Sequence, residues 1–271
     1  MKIKLELSQN IFFTSDTHYN HKNICRGVSN WKDITGNVPI NQTRNFQSLE
    51  EMNDNIVNSI NSKVKENDIL FHLGDWSFGG INNIYEFRKK IKCKNIHLIL
   101  GNHDHHIENN KQLMNLYKDE DTCEIKEGNW EENRYDEYKF GEYWSNEVYM
   151  RDLFSSVNQY LRLSVSIYPG TTLYNGNHDF ILSHYPIASW HNMNDGVMHL
   201  HGHVHLPEHL KIHEGKAMDV GCDGNNMVPY SINNIVSLLN NRPIKCLTLP
   251  QDHHEERIEG NGGNKKGSSS F

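Results

Sequence analysis

Acidic, imidazole and amide side chains fall in five short clusters, each directly behind an apolar run: Asp16 with His18, Asp75, Asn102 with His103, His184, and His203 with His205. Taken singly they say little. An Asp-x-His serves equally as a loop cap or a surface pair, and a lone Gly-Asp is weaker still. Taken together and in order they are hard to explain as packing, because ionisable groups gathered at one edge are costly unless a cation neutralises them. Imidazole nitrogen with carboxylate oxygen suits divalent ions of the Mn, Fe or Zn type. A single carboxylate can bridge two ions about 3.5–4 Å apart, and such a pair acidifies a shared water and clamps the oxygens of an in-line displacement at phosphorus. The sequence has neither a P-loop nor a serine nucleophile elbow, which fits attack by solvent rather than by a side chain.

The elements that must carry these clusters read as alternating strands and helices. Residues 11–13, 69–73 and 96–100 are short apolar strands ending at Asp16, Gly74-Asp75 and Gly101-Asn102-His103-Asp104. Between them, Met52, Ile56, Ile60 and Val64 recur every four residues, and Ile84, Phe87, Arg88 and Ile91 suit a crossover helix. Further strands are expected at 161–167, 180–183, 197–200, 217–220 and 244–249, with a helix capped by Ser231 running to Leu239. Strand-helix-strand order with polar residues at each strand's carboxyl end predicts an α/β layered fold, with the site at those ends.

From about 118 to 160 the pattern lapses, and 118–144 is acidic and aromatic with no period. It reads either as a lid or as a surface excursion with no part in binding. Residues 251–271 are polar and Gly/Ser-rich and read as a disordered tail, leaving 1–250 as one catalytic domain.

Composition narrows the function further. The 271 residues carry a formal charge of −7 and a pI near 6.2, which disfavours long nucleic acids as partners. The densest basic run, Arg88-Lys89-Lys90 with Lys92 and Lys94, reads as a solvated helix end. Five scattered cysteines give no disulfide or zinc-finger framework and suit a reducing compartment. With no signal-peptide core and no long apolar span, the expectation is a cytoplasmic protein with no membrane partner.

The ordered pattern D-x-H, G-D, G-N-H-D, H, G-H-x-H over residues 11–249 resembles the calcineurin-like metallophosphoesterase superfamily. The phrases SDTHYNHKNI, LFHLGDWSFGG, LSHYPIASW, LHGHVH and DVGCDGNNMVPYSINNI look like a small phage and bacterial branch. The resemblance implies a two-sheet β-sandwich flanked by helices in αββα layers. It also implies two divalent metal ions, Mn²⁺ first, with Fe, Zn, Ni or Co as alternatives. Asp16, His18 and His205 would hold the first ion, and Asn102, His184 and His203 the second, with Asp75 bridging. His103 would be no ligand but would stand beside the phosphate, protonating the leaving oxygen or stabilising developing charge. Asp104 is expected to set that imidazole, and His21 and Asn102 to reach the substrate phosphate.

Some assignments stay open at this level. Gly-Asn-His-Asp occurs at 101–104 and again at 176–179; the second reads as a hairpin turn, so the metal is assigned to the first. His201 alternates with His203 and His205 but is expected at the strand end, outside the ligand set. His72, His97 and His199 read as packing or edge residues.

The expected reaction is hydrolysis of a phosphate ester by a metal-bridging hydroxide. Gly74-Asp75 is followed by Trp-Ser-Phe-Gly-Gly, not the Val-Asp-Arg-Gly of protein phosphatases, and the residue after His103 is Asp rather than Glu. A small nucleotide-like diester is the preferred substrate, with Trp130, Tyr135, Tyr138, Tyr143 and Trp144 offering a stacking surface. The competing readings are a phosphomonoesterase or nucleotide pyrophosphatase with the same site, a non-catalytic scaffold, and a single-metal or structural zinc protein. The oligomeric state is left open.

Overall fold

The computed structural model describes residues 1–5, 9–25, 44–119, 122, 124–128, 147–167, 176–206 and 215–244. The aromatic residues between 130 and 144, the end of the strand expected at 244–249 and the 251–271 tail lie outside them. In chain order the elements are β1 (Lys2–Lys4), β2 (Ile11–Thr14), α1 (Leu49–Lys63), β3 (Ile69–His72), α2 (Ile81–Lys90), β4 (Asn95–Ile99) and α3 (His105–Glu108). There follow β5 (Gln112–Lys118), β6 (Ile125–Glu127), β7 (Glu147–Tyr149), β8 (Ser156–Asn158), β9 (Tyr160–Ile167) and β10 (Gly176–Ser183). The last are β11 (Met198–His201), β12 (Ala217–Asp219), β13 (Tyr230–Ser231) and α4 (Ile232–Asn240).

β2, β3 and β4 pair in parallel, as strands joined through the crossover helices α1 and α2 must. The sheet is completed by β13 and β8 in the order β13-β2-β3-β4-β8. A second sheet runs β1-β9-β10-β11-β12, with β10 and β11 parallel. Alternation along β2 decides what each sheet face packs against. Phe12 joins Met52, Ile56 and Ile60 of α1 and Phe87 of α2 in one core. Ile11 and Phe13 face the other way, into a core shared with Leu163, Phe180 and Leu200 of the second sheet. α4 closes this inter-sheet core with Ile232, Ile235, Val236 and Leu239. The result is the expected α/β sandwich.

Local signals explain the helix ends. Ser48 accepts from the Glu51 amide at the start of α1, and Ser231 does the same for Asn234 at the start of α4. The basic run closes the last turn of α2, where the half-buried Arg88 donates to the carbonyls of Leu153 and Ile91 rather than to solvent.

One expectation changes. The second Gly-Asn-His-Asp is not a turn: residues 176–179 open β10 and pair residue for residue with Ile167 back to Ser164 of β9. Their side chains are used in the ladder, where Asn177 and Asp179 accept from Ser166 and Ser164. β5, β6 and β7 form a separate three-stranded sheet, and β8, within the stretch from 118 to 160, hydrogen-bonds to β4 as an edge of the main sheet. Among the described residues no helix is long and apolar enough to cross a membrane.

Candidate metal centre

β2, β3, β4, β10 and β11 each end just before one polar cluster, and the turns that follow bring the clusters together. The chain must bend sharply there. Asp16, His18, Asp75, His203 and His205 all have left-handed backbones, with φ of 56°, 45°, 57°, 73° and 49°. Non-glycine residues rarely occupy this region, and when they do the strain usually sits at a functional site. Backbone bonds lock the bends: the Asp16 amide donates to Gly74 O and the His18 amide to Asp75 O. Gly202 permits the closest approach, since a Cβ there would meet Ser15 and the Asp16 carboxylate.

The side chains converge as acceptors. His184 Nδ1 faces the Leu73 carbonyl at 2.8 Å, and because a carbonyl only accepts, Nδ1 carries the proton. His184 Nε2 is then a lone pair, yet it faces Asn102 Oδ1 at 3.0 Å and Asp75 Oδ2 at 3.5 Å. Acceptors gathered around one point are held together by a cation between them or by a proton from a neighbouring ring. His203 Nδ1 joins the same group, 3.0 Å from Asn102 Oδ1 and 3.2 Å from His184 Nε2.

A second group lies beside it. Asp16, His18 and His205 offer ligand atoms within 4.8 Å of one another, as do Asp16, Asp75 and His184. His18 Nε2 stands 3.3 Å from Asp75 Oδ2, but neither His18 ring nitrogen has a hydrogen-bond partner although both are buried. Asp75 thus touches both groups, as a bridging carboxylate requires. The donor set of carboxylate, imidazole and amide oxygen suits the divalent ions expected.

Burial, with Asp219 and Asp75 adding to it, pushes the Asp16 carboxyl up to about 8. Asp75 is also pushed up by burial, but His18, His184 and the His103 amide outweigh that and hold it below the usual carboxylate range. Burial holds the His18 imidazole down to about 4. Neutral His18 and ionised Asp75 are the protonation states that metal ligation needs, whereas Asp16 keeps its proton at neutral pH until a cation displaces it.

His103 donates its amide to Asp75 Oδ1 at 2.8 Å. Its ring lies 5.2 Å from that of His18 and 5.5 Å from that of Phe78, at the mouth of the cluster. His21 lies beside it, its ring stacked on Phe78 at 3.9 Å and 6.3 Å from His103. Asp104 is elsewhere engaged. Its carboxylate accepts from the amides of Gly101 and Asp75 at 2.8 Å and of Trp76 at 3.0 Å, so it clamps two ligand-bearing turns rather than setting the His103 imidazole. Buried backbone amides need partners, and a carboxylate is a strong one.

His97 is satisfied by Ser156 and His199 by Ile181 and Ile187, whereas His72 is paired at Nε2 with Thr17 and has no partner among the described residues at its buried Nδ1. His201 is buried, its Nδ1 facing the Gly202 carbonyl, and it is not in the cluster.

Sequence reading missed Arg44 and Asp223. Asp223 Oδ2 lies 2.7 Å from His205 Nδ1, and Arg44 grips Asp223 through Nε and Nη2 at 2.8 and 3.0 Å. Asp219 accepts from the amides of Gly221 and Leu206, bracing the turn that holds His205. The phrase containing Asp219 and Asp223 stands out in the sequence, but nothing in it says which carboxylate faces which histidine.

A model of the calcineurin-like phosphoesterase family matches residues 10–207, and the chain belongs to that family. It is 26% identical over 227 residues to the gene 66 protein of Mycobacterium phage L5, covering 79% of this chain and 86% of that protein. It is 32% identical over 96 residues to the uncharacterized protein MJ1445 of Methanocaldococcus jannaschii, but spans only 35% of this chain and 46% of that relative. Among solved structures it resembles the Aquifex aeolicus protein of unknown function AQ665, with a TM-score of 0.47 and 17% identity, over 86% of this chain and 100% of that one. Family membership and the ligand groups together support a metal-dependent phosphoesterase.

Proposed function

We propose that this protein hydrolyses a phosphodiester of small, nucleotide-like size, using two divalent ions with Mn²⁺ as the first candidate. The observation that carries the reading is the convergence of His184 Nε2, Asn102 Oδ1 and Asp75 Oδ2 with His203 Nδ1 and His18 Nε2, a donor set that a divalent ion would satisfy. Asp16, His18 and His205 would hold one ion, and Asn102, His184 and His203 the other, with Asp75 shared. Bound divalent ions supply Lewis-acid charge and acidify water at neutral pH.

The chain's own groups do the rest. The His103 backbone is held by the hydrogen bond its amide donates to Asp75, and its ring would give a proton to the departing oxygen. His21, whose ring lies 6.3 Å from that of His103, and Asn102 would orient the ester. The formal charge of −7 disfavours long polyanions and favours a compact substrate.

Metal-stripped protein tests this with bis-p-nitrophenyl phosphate and p-nitrophenyl phosphate, restoring Mn²⁺, Zn²⁺, Mg²⁺ or nothing. The expected result is metal-dependent turnover favouring the diester and lost in Asp75→Asn. A preference for the monoester would replace the diesterase with the phosphomonoesterase reading. Two bound ions with no turnover of either ester would favour a scaffold.

A further inference from the structure

Two exposed aromatic rings touch different histidines of the candidate metal centre. Phe78 follows the Asp75 turn and is 38% exposed. Its ring stacks on His21 at 10° and meets His103 nearly edge-on. Its backbone is fixed, because its amide donates to Tyr19 O and its carbonyl accepts from Asn83. Tyr185 follows His184 and is 48% exposed. Its ring meets His184 at 5.0 Å and His203 at 4.6 Å, both edge-on. Its carbonyl accepts from Ser183 Oγ at 2.6 Å.

Large exposed rings cost solvation and find a use where a ligand covers them. Neither ring is needed to complete a core, since neither is part of the buried clusters. Both touch the histidines of the site. A phosphodiester has two organic arms leaving phosphorus in different directions, and the rings lie toward different parts of the ligand set. Stacking of a flat group on an aromatic ring tolerates many bases and aryl groups, because each has a π-face.

We infer that Phe78 and Tyr185 form a two-sided clamp for a phosphodiester with aromatic arms, Phe78 taking the leaving arm and Tyr185 the retained one. The assignment of sides follows from His103. The group that protonates the departing oxygen lies against Phe78, whereas Tyr185 lies against His184 and His203, away from it. Hydrolysis breaks the P–O bond to the arm over Phe78. Water's oxygen joins phosphorus, its proton goes to the departing oxygen, and a monoester stays over Tyr185. The inference rests on the phosphodiesterase reading and adds the substrate's shape to it.

The test compares bis-p-nitrophenyl phosphate with methyl p-nitrophenyl phosphate, which share a leaving group and differ only in the retained arm. With Mn²⁺-loaded protein, Tyr185→Ala should lower the ratio of their kcat/KM values by about 5- to 100-fold, and Tyr185→Phe should restore it. Phe78→Ala should lower kcat/KM for both diesters together, and Phe78→Trp should restore both. Calorimetric titration of dimethyl and diphenyl phosphate gives a readout apart from turnover, with the preference for diphenyl phosphate lost in both alanine variants. Turnover by the wild type with a ratio unmoved in Tyr185→Ala overturns the clamp and leaves the phosphodiesterase standing. Wild-type protein that hydrolyses no diester with any metal overturns that reading, and the clamp with it.

Discussion

His205 Nδ1 and Asp223 Oδ2 stand 2.7 Å apart, and this contact fixes which nitrogen of His205 is offered to the site. A carboxylate accepts, so Nδ1 carries the proton and Nε2, 3.8 Å from Asp16 Oδ1, is free to ligate. Asp223 is in turn held by Arg44, and both are buried. Ligating histidines commonly depend on such a carboxylate for orientation and basicity.

Asp223→Asn should therefore weaken metal binding by about 10- to 100-fold, and Asp223→Ala by more, since asparagine keeps an oxygen facing Nδ1. Competition with a chromophoric chelator measures this directly. Unchanged affinity in both variants would mean that His205 is oriented by something else. Removing the cation instead should cost stability. Arg44→Met leaves the buried Asp223 carboxylate with His205 but without its permanent cation, for a loss of about 3–5 kcal/mol, read from urea unfolding.

Asp104 offers a contrast between catalytic and architectural roles. Three amides depend on its carboxylate, those of Gly101, Asp75 and Trp76. Asp104→Ala orphans all three, at about 1–3 kcal/mol each if water does not replace the contact. It should lower both the urea midpoint and the number of ions bound per chain, because the Asp75 and Asn102 turns lose their tie. Full metal content with a normal midpoint and reduced kcat would return Asp104 to the role first expected of it, beside His103.

How much of this was legible in the sequence depends on what each feature needs. The strands and helices that position the site were readable because apolar periodicity and caps such as Ser231 are local signals. The clusters from Asp16 to His205 were readable because each follows directly on a strand, and strand ends in such folds gather at one edge. Arg44 and Asp223 were not, because their relation is 179 residues apart in the chain and no spacing encodes it. The roles of Phe78 and Tyr185 were hidden for a different reason: an exposed aromatic beside a ligand looks the same in sequence as a buried one. The second Gly-Asn-His-Asp misled because its residues suit a turn, whereas pairing with β9 places them in a strand.

Gly202 separates the last strand from its ligands, and the space beside it is taken. A Cβ would fall on Ser15 and the Asp16 carboxylate, whose oxygens accept from the His203 amide at 2.9 and 3.0 Å. Gly202→Ala should push this turn away, so metal affinity should fall more than global stability does. Elemental analysis after dialysis, set against the thermal midpoint in chelator, distinguishes the two. A variant that binds both ions as well as the wild type would show that the turn can yield.

His72 supplies a pH dependence whose sign can be worked out. It is fully buried, and Thr17 Oγ1 lies 2.8 Å from its Nε2 while donating to Trp76 O at 2.7 Å. Thr17 has one proton and spends it on Trp76, so His72 Nε2 is the donor and the ring is neutral. Burial holds its pKa down to about 3, against 6.5 when exposed. Between those values the unfolded chain binds a proton that the folded chain refuses. The stability contributed by neutral His72 is therefore complete above the unfolded pKa and is lost as pH falls toward the folded one, at about 1.4 kcal/mol per unit. His72→Gln keeps an N–H for Thr17 and removes the titration. Urea unfolding in chelator, from pH 6.5 to 4.5, should show the wild type losing stability faster than the variant by about 2–3 kcal/mol over that range. Parallel curves would mean that His72 takes up its proton without unfolding, and that Thr17 and Trp76 rearrange to receive it.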